Sequence, residues 1–392
     1  MILLRKVKIK DLGKVFTGST PPTKDDKMWD GKHLFVKPSD LTKGSRRVFD
    51  TETKLSDGAT QTSKGRLLPV GTTCVVTIGT IGKLCQLDKP SATNQQINSI
   101  VVDKEKYDQD YVYYLMTQSI NRVKVVEGGS ASGREHVKKS TFEEIELEVL
   151  PLAEQVKVSH LVVKYDNLIE NNNRRIAILE DMAQSLYREW FVNFRYPDHA
   201  DNLDADGKTK LTDSPLGQIP EGWEVKRLDD YVVLQRGFDL PKRNRNEEGG
   251  IPIYAASGIT GYHDQVKAKG PGIVTGRSGT LGIVNLVLED HWPLNTSLWV
   301  KEFKNCTAHY AYYLLDGIGL ERFNSGASVP TLNRNDVHGN PVIAPPTYLI
   351  EKFESIVSVN HKQIHLLKRK NENLKQQRDM LLPKLISGKI EL

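Results

Sequence analysis

The chain has 392 residues, enough for two or three domains that each bury a core. Its 54 Lys and Arg residues outnumber 49 Asp and Glu residues, a net charge of +5 that favours a polyanionic partner only mildly. Three scattered cysteines, Cys74, Cys85 and Cys306, exclude a disulfide framework and a Cys-rich zinc site. With no signal-peptide pattern and no run of eighteen apolar residues, we expect a cytoplasmic protein with no membrane partner.

The most informative feature is an internal repeat whose period is close to half the chain. Its marks recur in the same order in both copies: a Gly-Pro-Gly pattern, a glycine turn, a polar tripeptide and a Tyr-Tyr-Leu run. The offset falls from 219 to 200 positions, so we place about nineteen extra residues of the first copy at Thr51 to Gly65. The matched residues are Gly18, Pro22 and Gly31 with Gly237, Pro241 and Gly250; 79–82 with 279–282; 94–96 with 295–297; and 113–115 with 312–314.

Each copy passes from short β-like runs to a long helix. Runs such as residues 73–78 predict strands, and a proline boundary in each copy precedes about forty residues with helical periodicity. The polar, turn-rich segment 198–221 predicts a linker. We therefore predict an α+β fold in which two mixed α/β domains, residues 1–152 and 222–346, alternate with two long helices, residues 153–197 and 347–392.

Both predicted helices carry a narrow apolar stripe that fits a heptad repeat and needs a partner. We predict that they pair as an antiparallel coiled coil about a pseudo-twofold axis, with Asn172 and Asn371 fixing the register. Packing of each helix on its own domain is the alternative. The other heptad residues are Val158, Leu161, Tyr165, Leu168, Leu179, Met182 and Leu186 in the first helix, and Ile350, Phe353, Val357, Ile364, Leu367, Leu374, Leu381 and Leu385 in the second.

No catalytic constellation is apparent in the sequence. The segment 340–343, Asn-Pro-Val-Ile, has the wrong residues for the tetrad of an amino-methylating DNA methyltransferase. The glycine turn at 79–84 lacks the spacing and the Ser or Thr of a phosphate loop. We therefore expect no catalytic residue, no metal site and no cofactor in this chain.

Basic, hydroxyl and amide residues cluster in the loops of both copies at matched places. Reading a DNA sequence requires Arg or Lys for guanine and Asn or Gln for adenine, among contacts to phosphates. Because the residue identities differ between the copies, the pattern predicts two DNA-binding domains that read different half-sites. The candidate DNA-binding residues are Ser19, Thr20, Lys24, Lys37, Ser39, Lys43, Arg46, Arg47, Thr80, Lys83, Ser130, Ser132, Arg134, Lys138 and Lys139 in the first copy, and Lys242, Arg243, Asn244, Arg245, Ser257, Arg277, Ser278, Thr280, Ser325, Ser328, Asn333 and Arg334 in the second.

Several segments resemble the specificity subunits of type I restriction-modification systems. Residues 214–223, Ser-Pro-Leu-Gly-Gln-Ile-Pro-Glu-Gly-Trp, are similar to the family's lead-in to a target-recognition domain, and residues 151–155 to the entry of its first helix. The helix endings at 179–191 and 378–388 also resemble the family. In one departure, the first copy has no counterpart of residues 219–223 before its first strand.

The resemblance implies two target-recognition domains that each read half of an asymmetric, interrupted site on double-stranded DNA, with a helix pair that sets the spacer. It implies two modification subunits, which hold S-adenosylmethionine and methylate adenine N6, and in a full complex two ATP-driven motor and nuclease subunits. The chain itself would be non-catalytic. Two other interpretations stay open: a free-standing DNA methyltransferase or nuclease with unrecognised motifs, and a coiled-coil scaffold that binds no nucleic acid.

Overall fold

The structure is a computed structural model that describes residues 3–42, 44–125, 136–203, 207 and 209–392. The chain divides into two compact units, one formed by residues 1–172 with 370–392 and the other by residues 173–369. Each unit contains one globular α/β domain and parts of two long helices.

The described part of the first unit contains ten strands. They are β1 Arg5–Lys8, β2 Gly13–Thr17, β3 Trp29–Val36, β4 Arg47–Val48, β5 Lys54–Leu55, β6 Thr73–Val76, β7 Leu84–Leu87, β8 Ala92–Thr93, β9 Ile97–Val102 and β10 Glu146–Val149. The larger sheet has the order β2-β9-β6-β7-β4 and the smaller sheet the order β5-β3-β8, while β1 pairs with β10. The neighbours β3 and β8 are parallel, as are β4 and β7.

The described part of the second unit contains eleven strands. They are β11 Leu211–Ser214, β12 Gly217–Pro220, β13 Glu224–Arg227, β14 Val232–Arg236, β15 Ile251–Ala255, β16 Gly258–His263, β17 Gly272–Gly276, β18 Val284–Val287, β19 Trp292–Pro293, β20 Ser297–Phe303 and β21 Pro341–Ala344. The larger sheet has the order β14-β20-β17-β18 and the smaller sheet the order β16-β15-β19, while β11 pairs with β12 and β13 with β21. The neighbours β15 and β19 are parallel.

Seven α-helices lie in the described ranges, and two of them are much longer than the rest. A π-helical turn, Arg188–Val192, extends the first of these two. The helices are α1 Asp57–Thr60, α2 Gln109–Val125, α3 Lys139–Glu143, α4 Leu152–Tyr187, α5 Ala308–Ile318, α6 Arg334–His338 and α7 Thr347–Ile386.

The two units repeat one topology, so the sequence repeat is also a repeat of structure. Strands β2, β9, β6 and β7 follow the same sheet order as β14, β20, β17 and β18, and each copy has one parallel pair in its smaller sheet. In both glycine turns the first and last glycines have positive φ, 80° and 104° at Gly79 and Gly82, and 90° and 86° at Gly279 and Gly282. Because other residues rarely adopt this conformation, the turn explains why the glycines recur.

The extra residues of the first copy lie on both sides of β5. In the second copy only residues 256 and 257 separate β15 from β16, whereas β4 and its flanking loops separate β3 from β5. A second expansion after β5 contains α1. The predicted single insertion at 51–65 was therefore too narrow, because β4 joins the larger sheet as a fifth strand and so belongs to the fold.

Contacts between the two long helices run in opposite chain directions within each unit. In the first unit Nδ2 of Asn172 donates to Oδ1 of Asn371 at 2.8 Å, and both side chains are buried. In the second unit Ile176 packs with Ile364 and Leu367. The helices also join the cores of the domains, so helix-to-helix and helix-to-domain contacts both occur.

The predicted heptad frame was right for Val158 and Asn172 of α4 but displaced between them, and it was largely right for α7. The buried stripe of α4 includes Val162, Asp166 and Ile169, one residue later than the predicted Leu161, Tyr165 and Leu168. Of the predicted residues, Leu168 is 45% exposed and Met182 is 55% exposed. The helix therefore has a second, exposed apolar stripe, and the predicted frame combined Leu168 and Met182 of that stripe with residues of the buried one. In α7 the buried predicted residues are Ile350, Phe353, Val357, Ile364, Leu367, Asn371 and Leu385.

An equivalent tyrosine ties each domain to the helix that follows it. The hydroxyl of Tyr114 donates to Asp166 at 2.5 Å, and Asp166 also accepts from Arg378 at 2.6 Å. In the second unit the hydroxyl of Tyr313 lies 2.8 Å from Nε2 of His361, which stands the same distance past the proline boundary of its copy. Burial lowers the pKa of His361 to about 4, so the ring is neutral and shares one hydrogen bond with the tyrosine hydroxyl. The first anchor is therefore ionic and the second neutral.

Gly18 and Gly237 each lie where two loops of the same unit are in direct backbone contact. A Cβ on Gly18 would lie 2.2 Å from the carbonyl oxygen of Asn94, and a Cβ on Gly237 would lie 2.2 Å from that of Leu294. Backbone therefore packs directly on backbone at both places, and no side chain fits.

We predict that Gly237→Ala lowers the free energy of unfolding by about 1–3 kcal/mol, because the new methyl group collides with backbone that cannot move aside. Urea denaturation of the whole chain measures the change. Gly250→Ala is the matched control, since a Cβ there meets no atom within 4 Å. Equal stability of the two variants would contradict the steric assignment.

Candidate nucleic-acid interface

In the second unit four loops meet at one end of the larger sheet. They are residues 237–239 after β14, 277–280 after β17, 294–296 before β20, and 324–333. The N–H of Phe238 donates to Pro293 at 2.8 Å, and the N–H of Arg277 donates to Thr296 at 3.0 Å. The N–H of Leu332 donates to the carbonyl of Arg277 at 2.9 Å. We call these four segments the second loop cluster.

The first unit brings the equivalent loops together by equivalent bonds. The N–H of Ser19 donates to Thr93 at 2.9 Å, and the N–H of Thr77 donates to Gln96 at 2.8 Å. The N–H of Val137 donates to the carbonyl of Thr77 at 2.9 Å. Residues 18–20, 77–80, 94–96 and 136–138 form the first loop cluster. Each cluster thus gathers separate segments of sequence onto one rigid sheet edge.

The second loop cluster contains six of the candidate DNA-binding residues, namely Arg277, Ser278, Thr280, Ser325, Ser328 and Asn333. Arg277 is half-buried, and its Nη1 donates to the backbone oxygen of Asn295 at 3.4 Å. Asn333 caps α6 by accepting from the N–H of Asn335 at 3.1 Å. Other candidates stand outside the cluster: Lys242, Arg243, Asn244, Ser257 and Arg334 are exposed, while Arg245 is half-buried and donates to Thr260 at 3.2 Å.

The first loop cluster contains Ser19, Thr20, Thr80 and Lys138, of which Thr80 and Lys138 are fully exposed. The hydroxyl of Ser19 donates to the carbonyl of Lys64 at 3.0 Å. Outside the cluster, Lys24 and Ser39 are exposed, and Lys139 lies 3.4 Å from Glu143. The candidates Lys43, Ser130, Ser132 and Arg134 lie outside the described residues.

Arg46 was wrongly predicted to contact DNA. Its side chain is 2% exposed, and it donates to Gln86 at 2.6 Å and to Asp110 at 2.5 Å. Burial alone would lower the pKa of the guanidinium, but Tyr114 and Asp110 raise it, and the net pKa lies above its ordinary value. Arg46 is therefore a permanently charged support inside the domain, held by groups far away in sequence.

Three other basic candidates are engaged within the protein. Arg47 lies 3.6 Å from Asp88 and 3.5 Å from Glu170. Lys37 donates to Glu52 at 3.0 Å and to Thr53 at 2.8 Å, and Lys83 donates to the carbonyl of Pro38 at 2.9 Å. A contact from any of them to a phosphate would have to compete with these bonds.

Two amide residues of the loop clusters were not among the predicted DNA-binding residues. Gln95 is exposed and accepts from the hydroxyl of Thr20, while Asn295 donates to Asp239. The predicted match of residues 94–96 with 295–297 was displaced by one, because the backbone bonds pair 95 with 295 at the offset of 200. The constant offset was the signal that could have identified this pair.

Other kinds of site find no support in the described parts of the chain. None of the helices there is both long and apolar enough to cross a membrane. Over the same residues, His, Cys, Asp and Glu side chains form no group of three or more that could hold a metal ion.

Comparison with known proteins identifies the family. Residues 3–181 and 220–376 match the model of the type I restriction modification DNA specificity domain, which occurs twice along the chain. The chain belongs to this family. That membership favours the specificity-subunit interpretation over a free-standing methyltransferase or a scaffold without nucleic acid.

Similar proteins agree with this assignment. The specificity subunit of the type I restriction enzyme MjaIX from Methanocaldococcus jannaschii is 28% identical over 98% of this chain and 93% of its own length. The HindI specificity subunit from Haemophilus influenzae is 31% identical over 44% of this chain and 38% of its own. The crystal structure of an S subunit from M. genitalium shares the fold, with a TM-score of 0.68, 19% identity and coverage of 98% and 96%.

Proposed function

We propose that each loop cluster is the DNA-reading surface of one recognition domain and that the two domains read different half-sites. The observation that carries this proposal is the repetition of one loop framework with different side chains. Where the first cluster has Thr77 and Ile78, the second has Arg277 and Ser278 at the offset of 200. Equal frameworks give equal docking on the double helix, whereas unequal side chains select different bases.

Exposed basic residues beside the clusters would position the protein on phosphates. Lys242, Arg243 and Arg334 flank the second cluster, and Lys24 and Lys138 belong to the first domain. Such contacts bind all sequences alike and weaken as salt rises. The chain would thus hold DNA in the cytoplasm through these residues and discriminate through the cluster loops.

The chain would act as the specificity component of a larger complex and leave the chemistry to its partners. We assign residues 1–152 and 222–346 to the recognition domains, 153–197 and 347–392 to a pseudo-twofold coiled-coil pair, and 198–221 to the linker. Two modification subunits would supply S-adenosylmethionine, and restriction subunits would supply ATP-driven cleavage. The buried Asn172 and Asn371 would fix the helix register, since a mismatched amide in an apolar seam is costly.

We predict that Arg277→Ala relaxes one base position of the second half-site by about 1–3 kcal/mol and leaves the first half-site unchanged. The chain is expressed with its modification subunit in a host without this methylation, and methylated sites are mapped by sequencing. Lys301→Ala is the control, because Lys301 is exposed on β20 outside the cluster. An unchanged second half-site would remove Arg277 from the reading surface.

The outer apolar stripe of α4 supports docking of a partner helix. Leu168, Ile178 and Met182 are between 45% and 55% exposed, and their spacing places them on one face of the helix. The opposite stripe is already used in the core, so a second one needs a separate partner. We assign this face to the modification subunits.

Met182→Glu is expected to reduce co-purification of the modification subunit at least tenfold, because a buried unpaired carboxylate opposes association. The melting temperature of the isolated chain should stay unchanged, since Met182 is exposed there. Ala177→Glu places the same charge on a different face of α4 and should bind normally. Equal binding by both variants would show that partners dock elsewhere.

The helix pair would also set the length of the unread spacer. Insertion of one heptad into each helix next to Asn172 and Asn371 keeps the apolar pattern in phase and adds about 10 Å, the length of about three base pairs. We expect the methylated motif to keep both half-sites and to gain a spacer longer by that amount. A motif with its original spacer would refute the ruler role.

A further inference from the structure

The equivalent residues Gln95 and Asn295 follow the residues whose carbonyls pack against Gly18 and Gly237. Asn295 follows Leu294, whose carbonyl packs against Gly237, and its own N–H donates to Phe238 at 3.0 Å. In the first cluster Gln95 follows Asn94, which packs against Gly18 in the same way. Both side chains are carboxamides, the groups that offer a donor and an acceptor to base edges.

The partner of each amide differs between the two copies. Thr20 bonds Gln95, and Asp239, which occupies the equivalent position 219 residues later, bonds Asn295. A carboxylate only accepts hydrogen bonds, so the NH2 group of Asn295 must face Asp239 and its carbonyl oxygen must face away. A hydroxyl donates or accepts, and here Thr20 donates to the oxygen of Gln95, which leaves the NH2 group facing away.

Nearby cations make the carboxylate of Asp239 compatible with DNA. Arg236 lies 3.6 Å from Asp239, and Arg277 donates to the backbone of Asn295. Asp239 itself is exposed, so its second oxygen is a further acceptor on the same surface. The pair therefore presents the carbonyl oxygen of Asn295 and the second oxygen of Asp239 as acceptors at this point of the second cluster, beside the one N–H of the amide that Asp239 does not engage.

We propose that Asn295, oriented by Asp239, reads the amino group of an adenine or cytosine in the second half-site, whereas Gln95 presents a donor at the equivalent position of the first. In the major groove the exocyclic amines of adenine and cytosine are donors, while the keto oxygens of guanine and thymine are acceptors. One loop framework thus acquires opposite base preferences through the exchange of Thr20 for Asp239. This inference rests on the proposed function and names the group that discriminates.

The test maps methylated sites for three variants expressed with the modification subunit. Asp239→Asn frees the amide of Asn295 to rotate, so one position of the second half-site should accept a keto base besides the original amino base, with discrimination reduced roughly tenfold or more. Asn295→Ala should leave that position degenerate. Gln95→Ala is the matched variant in the first loop cluster and should alter the first half-site alone.

The outcomes separate this inference from the proposed function. Absence of methylation by the unaltered complex would contradict the proposed function itself. Methylation by Asp239→Asn with an unchanged second half-site would overturn the inference, because a purely structural contact between two loops does not select a base. If Asn295→Ala is inactive, the near-isosteric variant Asp239→Asn alone tests the inference. A changed base at one position of the second half-site would support the inference. An unchanged motif or the loss of all methylation would overturn it.

Discussion

Each loop cluster depends on one steric constraint, a glycine with no space for a side chain. Gly18 and Gly237 let the loop after the first sheet strand lie directly on the loop before the last one. This contact fixes Gln95 and Asn295 without requiring any side chain to bridge the gap. Loops held by backbone bonds can change their side chains freely, because the framework does not depend on them. Two copies of one fold can thereby acquire different specificities.

The tyrosine hydrogen bonds that join each domain to its helix also keep one geometry in both copies while the bonding groups differ. Tyr114 and Tyr313 occupy equivalent positions, yet one bonds a carboxylate that Arg378 neutralises and the other bonds a neutral imidazole. Leaving either buried group unpaired would be costly, so each copy has kept a complete network. The repeat preserves the geometry of the anchor and leaves its charge free to change.

Much of the fold could be predicted from sequence because the same pattern of turns, strands and helices occurs in both copies of the repeat. The glycines of the turns must adopt positive φ, so they recur at matching positions of the two copies and identify the repeat. Arg46 could not be assigned, since its partners Gln86 and Asp110 come close only after folding. The frame of α4 was right only in part, because a helix with two apolar stripes fits two heptad registers, and sequence alone does not distinguish the stripe that faces the core. Gln95 and Asn295 were missed through an alignment displaced by one residue.

The outer stripe of α4 also bears on how such a protein is produced. Leu168, Ile178 and Met182 are apolar surface that a second copy could cover as readily as a partner could. Chains synthesised in excess of their partners would self-associate and become substrates for proteolysis.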